Sequence, residues 1–491
     1  MTKQVFRWFS LGVIVWVFTA VSVFGMTPAP KEGVSKRQLT VHLQGVFDAK
    51  VSLIPFEGLK AINPIAEVPG VKDGKLVKIA IPAKYLPGEF LLRLDYRVKE
   101  TDSPYPAERS IYINKQDVEV FVNPRGMGNN DIVEFSAGET ENTASGAFMK
   151  ENGTKRMATD LLRQFLLSYD RTQAEFYTQA VKEFQQRTEE YNSWLSEESK
   201  KYQQLYVGRL FQFQYIPILP ATAWSGSENE RLSQILKHYF DGINFSDRLI
   251  IRSRELLMFM DGYIRMHSMQ AKTEKQRDEL FTQAGRLACE KASKGDPKVY
   301  GWMVDYFYLG YETYNITQGM LMLEEHANNP NCLSSKKQQI IKRLEAMDKL
   351  VPGALAPDFI IKDNEGNEFE LHKYKGGARY KLLLFWSAGC EGCHQLVNGL
   401  RQWSNEPANK KKLDIITVSL DETETEMREW ETAMVGLLGW KRLYAKGGVN
   451  SPVVGDYAIL STPAMFLIES EGNTIVSVPG GLDELIKDLK D

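Results

Sequence analysis

The segment that most restricts how this chain can fold is an apolar run, Lys381-Leu382-Leu383-Leu384-Phe385-Trp386, which passes through Ser387-Ala388-Gly389 into Cys390-Glu391-Gly392-Cys393-His394. The run reads as a buried strand and the residues from about Glu391 onward as a helix. A strand that delivers two cysteines, spaced two apart, to the start of a helix suits thiol-disulfide exchange. Further on, a Thr462-Pro463 step opens another apolar run.

The chemistry follows from thiol acidity. A free thiol titrates near about 8.5, so only a few per cent is nucleophilic thiolate at neutral pH. Unpaired N–H groups and the dipole at a helix N-terminus favour an anion, which marks Cys390 as the nucleophile. Cys393, one turn on, is expected to be more buried and to act as the resolving thiol that attacks a mixed disulfide. Thr462-Pro463 is a candidate cis peptide, a form nearly confined to proline. Beside the thiols it leaves Thr462 backbone groups free to pair with a substrate strand. Three rival readings share the same residues. Cys-x-x-Cys-His is also the attachment signature of c-type haem with His394 as axial ligand, but a preceding strand in an α/β pattern argues against it. A zinc site needs about four ligands, and no second Cys/His pair lies nearby. A purely structural disulfide closing so short a loop would constrain little of the unfolded chain. No cofactor and no metal is expected.

At 491 residues the chain is too long for one core and should divide into several domains. A net charge of −3 argues against nucleic-acid binding, which needs a basic surface. Residues 1–25 read as a signal peptide: Lys3 and Arg7 make a basic start, Leu11 to Phe24 is almost unbroken apolar sequence, and Val23-Phe24-Gly25 offers a cleavage site. The apolar stretch is short of the roughly 20 residues that span a bilayer. The mature protein is therefore expected to be soluble and periplasmic or otherwise extracytoplasmic, with membrane association left open. Only four cysteines occur, Cys289, Cys332, Cys390 and Cys393, far fewer than a disulfide-built exported scaffold would carry.

After a linker at 26–36, residues 37–125 alternate with period two, as in Val41/Leu43, Val51/Leu53, Phe90/Leu92/Leu94/Tyr96 and Val118/Val120/Val122. An antiparallel β-sandwich is expected there. Residues 126–350 read as an all-α domain with a connecting segment around Pro217, Pro220 and Gly226. Met157, Leu161, Phe165 and Tyr169 form one expected stripe, and Tyr177, Val181, Phe184, Tyr191 and Trp194 another. The aromatic run from Tyr300 to Tyr308 is expected to be core. His238, His267 and His326 show no ligand spacing, so each reads as surface or as a satisfied partner. Cys289 and Cys332 fit either an inter-helix disulfide or two buried thiols. From 351 to 491 strands alternate with helices, giving an α/β domain with a mixed sheet.

With Ala356-Pro357-Asp358-Phe359, Phe385-Trp386-Ser387-Ala388-Gly389-Cys390-Glu391-Gly392-Cys393 and Ser461-Thr462-Pro463-Ala464 assembled, the C-terminal domain resembles thioredoxin-like disulfide oxidoreductases of the TlpA/ResA type. The segment from Asp421 to Tyr457 looks like that family's insertion. The upstream regions look like the N-terminal domains attached to such enzymes in exported Bacteroidetes proteins. The resemblance implies an extracytoplasmic oxidoreductase, expected to reduce protein disulfides, with Cys390 and Cys393 as the redox pair. Trp386, Thr462 and Pro463 would contact substrate, Glu391 and His394 would be auxiliary, and an upstream thiol donor would supply electrons. Leu384 stands where thioredoxins carry a buried carboxylate, and Leu396 where TlpA/ResA enzymes often carry a glutamate. Two other functions remain open from sequence. One is a thiol peroxidase, against which Leu383 and Ser387 occupy the offsets of a peroxidatic proline and threonine. The other is a binding protein with a vestigial redox domain.

Overall fold

Alternation in the first region builds two sheets. In the computed structural model, which describes residues 37–489 except 62, 127–132, 364, 410, 436, 438, 460 and 461, the strands run in the order β1 (Arg37–Leu43), β2 (Asp48–Glu57), β3 (Lys60–Ala61), β4 (Ala66–Lys72), β5 (Leu76–Ile81), β6 (Gly88–Arg97), β7 (Tyr105–Ile113), β8 (Val118–Val122) and β9 (Glu134–Phe135). One sheet has the order β5-β1-β8-β9, and the other runs β3-β2-β6-β7 with β4 also on β2. Val41 of β1, Leu53 of β2, Leu92 of β6 and Val120 of β8 belong to a single buried cluster, so both sheets turn their apolar faces to a common core. The expected leader and the 26–36 linker lie outside the described residues.

The helical region contains α1 (Glu141–Ser168), α2 (Glu175–Lys201), α3 (Val207–Leu210), α4 (Glu228–Lys237), α5 (Arg254–Ser268), α6 (Glu274–Ala292), α7 (Pro297–Tyr314), α8 (Thr317–Asn328) and α9 (Lys337–Asp348). Helix α7 starts where Asp296 accepts from the Lys298 amide and Pro297 fills the first turn; it ends at Asn315 in a left-handed conformation. Tyr300, Trp302, Phe307 and Tyr308 are buried, so the aromatic run is core. The α2 stripe is buried from Tyr177 to Tyr191 as its spacing predicts, although Trp194 is only half-buried and Leu195 takes the inner position; the α1 stripe is not. Met157 and Leu161 are 63% and 62% exposed, while Ala144, Phe148 and Leu166 face inward. A strict spacing of four overshoots the helical period of 3.6 and drifts off any one face, which explains the misreading. Helix α8 carried no clear sequence pattern. The sheets and helices are tied at Glu89, whose carboxylate accepts from Ser110 Oγ at 2.5 Å, Ser253 Oγ at 2.9 Å and the Arg254 amide at 2.8 Å.

The C-terminal domain contains β10 (Ile360–Lys362), β11 (Glu368–Glu370), β12 (Tyr380–Trp386), α10 (Glu391–Asn405), β13 (Leu413–Ser419), α11 (Glu424–Ala433), β14 (Lys441–Tyr444), α12 (Pro452–Asp456), β15 (Ala464–Glu469), β16 (Ile475–Ser477) and α13 (Leu482–Asp488). Its five-stranded sheet has the order β14-β13-β12-β15-β16. Strands β12, β13 and β14 are parallel, and β15 and β16 antiparallel, so the mixed sheet is as expected. All seven residues of β12 are buried, because both faces of this central strand are covered. Leu383 and Phe385 face one apolar cluster; Leu382, Leu384 and Trp386 face another that includes α10 and α13. Strand β14 and helix α12, within the expected insertion, were not legible as separate elements.

Candidate functional site

The site forms where β12 and β13 end and β15 begins. Phe385 pairs with Ala464 across the antiparallel step, and Phe385 and Trp386 pair with Val418 and Ser419 across the parallel one. Ligand and reaction sites in open α/β sheets gather at such carboxyl ends.

Cys390 occupies the N-cap of α10, its amide donating a turn bond to the Ser387 carbonyl at 3.2 Å. The Cys393 amide donates to Cys390 Sγ at 3.1 Å, using one of the orphan donors of the first turn. Cys390 and Cys393 are joined in a disulfide. Their burial differs: Cys390 is half-buried, whereas Cys393 is fully buried within the apolar cluster below the sheet. A Cβ added at Gly389 or Gly392 would meet no atom within 4 Å, so the loop around Cys390 opens to solvent on both sides.

Thr462-Pro463 is a cis peptide, as its sequence context predicts. It lies against the pair, with the Thr462 carbonyl oxygen 3.4 Å from Cys390 Sγ and Thr462 Oγ1 3.5 Å from Ser387 Oγ. Both Thr462 and Pro463 are half-buried and within reach of a docked chain. Glu391 is exposed at the first position of α10. His394 Nε2 donates to the Ala388 carbonyl at 2.7 Å, since a carbonyl can only accept, and its ring stands edge-on to Trp386.

Two expectations, at Trp386 and His267, need correction, and of the two alternatives open for Cys289 and Cys332 the structure has the buried thiols. Trp386 does not present a face to substrate. It has no exposed surface and packs between His394 and Trp430, because the last residue of β12 points into the cluster beneath the sheet. Cys289 and Cys332 are not bonded; both are free and buried. Burial raises the Cys289 thiol well above its ordinary value and pushes Cys332 up to about 11, so both behave as small apolar side chains. His267 is likewise neither surface nor satisfied. Its ring nitrogens are buried without partners, and burial lowers its pKa to about 4.

Sequence reasoning passed over one residue beside the loop. Asp421, just beyond β13, is 8% exposed and accepts the Ala388 amide on both oxygens, at 3.0 and 3.1 Å. Ser419 Oγ also donates to its Oδ2 at 2.8 Å. Burial raises the Asp421 pKa, while the Ser419 and Ala388 donors pull it down. The only signal in the sequence was a pair of polar residues, Ser419 and Asp421, at the end of a mostly apolar strand.

A cysteine pair at the N-terminus of a helix, fed by a central strand and flanked by a cis-proline before the next strand, defines a thioredoxin-like oxidoreductase domain. The matching family and the similar relatives agree. Residues 352–476 match the AhpC/TSA family. The thiol-disulfide oxidoreductase ResA of Bacillus thuringiensis (strain Al Hakam) is 30% identical over 138 residues, 27% of this chain and 72% of that protein. ResA of Bacillus subtilis (strain 168) is 26% identical over 149 residues, 28% of this chain and 72% of that protein. Among solved structures, the thioredoxin domain of a thiol-disulfide oxidoreductase from Bacteroides vulgatus is 29% identical, covering 28% of this chain and 94% of that one with a TM-score of 0.25. A thioredoxin-like protein from Bacteroides caccae is 21% identical and covers 56% of this chain and 96% of that one, with a TM-score of 0.36. Through its C-terminal domain, this chain belongs to the ResA-type thioredoxin-like thiol-disulfide oxidoreductases.

Proposed function

We propose that the protein is an exported reductase of protein disulfides in which Cys390 attacks and Cys393 resolves. In the reduced enzyme the Cys390 thiolate attacks a substrate disulfide, forming a mixed disulfide and releasing one substrate thiolate. Cys393 then loses its proton and attacks Cys390 Sγ. The second substrate thiol leaves, and the Cys390–Cys393 disulfide carries the two electrons' worth of oxidation until a thiol donor reduces it. The observation that carries this reading is the asymmetry of the pair: a half-buried Cys390 at the N-cap, with the Cys393 amide 3.1 Å from its sulfur, above a fully buried Cys393. The N–H donor and helix dipole favour a thiolate at Cys390 alone.

The Thr462 carbonyl, 3.4 Å from Cys390 Sγ, supplies a backbone acceptor for an extended substrate segment, with Pro463 fixing its direction. Trp386 supports the loop from behind, and Glu391 and His394 border it. Export rests on the basic start and apolar stretch of residues 1–25; among the described residues, no helix is long and apolar enough to cross a membrane. The upstream regions, a β-sandwich at 37–125 and a helical domain at 126–350, recognise a partner or shape access to Cys390. Insulin reduction driven by a small thiol donor tests the activity, with Cys390→Ser as control. Equal turnover in wild type and Cys390→Ser would end the proposal. Rapid, Cys390-dependent peroxide consumption without insulin reduction would move the protein to the thiol peroxidases.

A further inference from the structure

A buried carboxylate one hydrogen bond from the cysteine loop, with no basic side chain in its hydrogen-bond set, needs a reason to be there. Asp421 holds Ala388 from one side, taking its amide on both oxygens, while His394 holds the Ala388 carbonyl from the other. Ala388, itself buried, is therefore fixed by the end of β13 and by the first turn of α10. Among the described residues, two groups, the Ala388 amide and Ser419 Oγ, donate to this carboxylate, although an ionised carboxylate can take about four hydrogen bonds. A neutral side chain would clamp the same amide without the desolvation cost of a buried charge.

We propose that Asp421 is a positioning residue of the redox centre that fixes the Ala388 end of the cysteine loop and, through its negative charge, restrains thiolate formation at Cys390. This rests on the reading that Cys390 is the attacking thiol. Only Gly389 separates Ala388 from Cys390, so their Cα atoms, two steps apart, lie within about 7.6 Å. The carboxylate is thus on the order of 10 Å from the sulfur. At an effective dielectric constant of about 20, a like charge at that range changes the thiolate population roughly tenfold. Strongly oxidising couples owe their potential to a stabilised thiolate. An anion behind the loop works the other way and keeps the couple toward the reducing side. It thereby supplies from β13 a carboxylate that the apolar Leu384 and Leu396 do not.

The other groups around Asp421 are Ser419 at the end of β13, Glu426 and Glu429 of α11, Tyr444 of β14, and His394 across Ala388. All remain in a point variant, so their charges cancel in a comparison. Asp421→Asn keeps an oxygen for the Ala388 amide and removes only the charge. In the reduced full-length protein, the pH midpoint for iodoacetamide alkylation of Cys390 is expected to fall by about one unit in Asp421→Asn. Burial raises the Asp421 pKa, so the two proteins converge as pH falls and the wild-type carboxylate protonates. The second readout is the equilibrium in which protein disulfide and two glutathione thiols yield protein dithiol and glutathione disulfide. Above both midpoints this equilibrium should favour the Asp421→Asn dithiol about tenfold more than wild type, equivalent to about 30 mV. Asp421→Ala, which loses the clamp as well, should show the same midpoint shift together with slower insulin reduction. Unchanged midpoint and equilibrium in Asp421→Asn would overturn the inference, leaving the residue a simple loop fastener. If wild-type Cys390 itself proves inert to alkylation, it is the functional reading that fails instead.

Discussion

The helical region and the C-terminal domain each hold two cysteines, and the same side chain behaves oppositely in the two places. Cys289 and Cys332 are free, buried among apolar residues, and have raised thiol pKa values. Cys390 sits at a helix N-cap with an amide directed at its sulfur and open space around its loop. The lesson is that a thiol's chemistry comes from donors and solvent access rather than from its being a cysteine. Histidines show a similar contrast: upstream, His267 is buried without hydrogen-bond partners and its pKa falls to about 4, whereas in the redox domain His394 donates to the Ala388 carbonyl beside the reactive loop.

The largest test of this contrast is activity. Cys390→Ser should reduce insulin turnover to the uncatalysed rate, while Cys289→Ala and Cys332→Ala should leave it near wild type. Loss of turnover in either upstream variant would break the comparison. Next comes selective labelling. With its pKa pushed up to about 11, Cys332 is only about one part in a thousand thiolate at pH 8. Mass spectrometry of reduced, folded protein should therefore find iodoacetamide on Cys390 and none on Cys289 or Cys332 until denaturant is added.

Stability effects sharpen the picture further. Trp386→Ala removes a fully buried ring behind the loop and should cost about 3–5 kcal/mol in denaturant unfolding. Phe148→Ala, on the true inner face of α1, should cost a similar amount. His267 gives a pH signature. Its folded pKa of about 4 lies below the unfolded value of 6.5, so the unfolded chain binds the extra proton between those pH values. The stability held by neutral His267 is complete above pH 6.5 and is lost as pH falls toward 4. Relative to His267→Leu, wild type should lose up to about 3 kcal/mol over that window. Smallest of all, Met157→Ala and Leu161→Ala should shift stability by no more than about 0.5 kcal/mol, because both side chains are mostly exposed.

How much of this was legible in the sequence depended on how local the determinants were. The β12–Cys390–α10 unit and the cis Thr462-Pro463 step are written in consecutive residues, so period, composition and proline chemistry marked them directly. The upstream strands were equally plain, since alternation and burial coincide in Val118, Val120 and Val122. The α1 stripe was misread because spacing by four mimics a helical face for a turn and then drifts away. Trp386 was misassigned because its orientation depends on the strand's register against β13 and β15, which no local pattern reveals. Asp421 was missed for a related reason: it touches Ala388 only because β13 pairs in parallel with β12. Whether Cys289 and Cys332 bond likewise turned on how helices and loops distant in sequence meet.

The central claim is that one sulfur, at Cys390, meets the substrate while its buried neighbour completes the exchange. Incubating reduced Cys393→Ser protein with insulin and identifying the adduct by non-reducing peptide mass mapping tests it most directly. The account predicts a stable mixed disulfide on Cys390 that cannot resolve; an adduct on Cys289 or Cys332, or none at all, would contradict it.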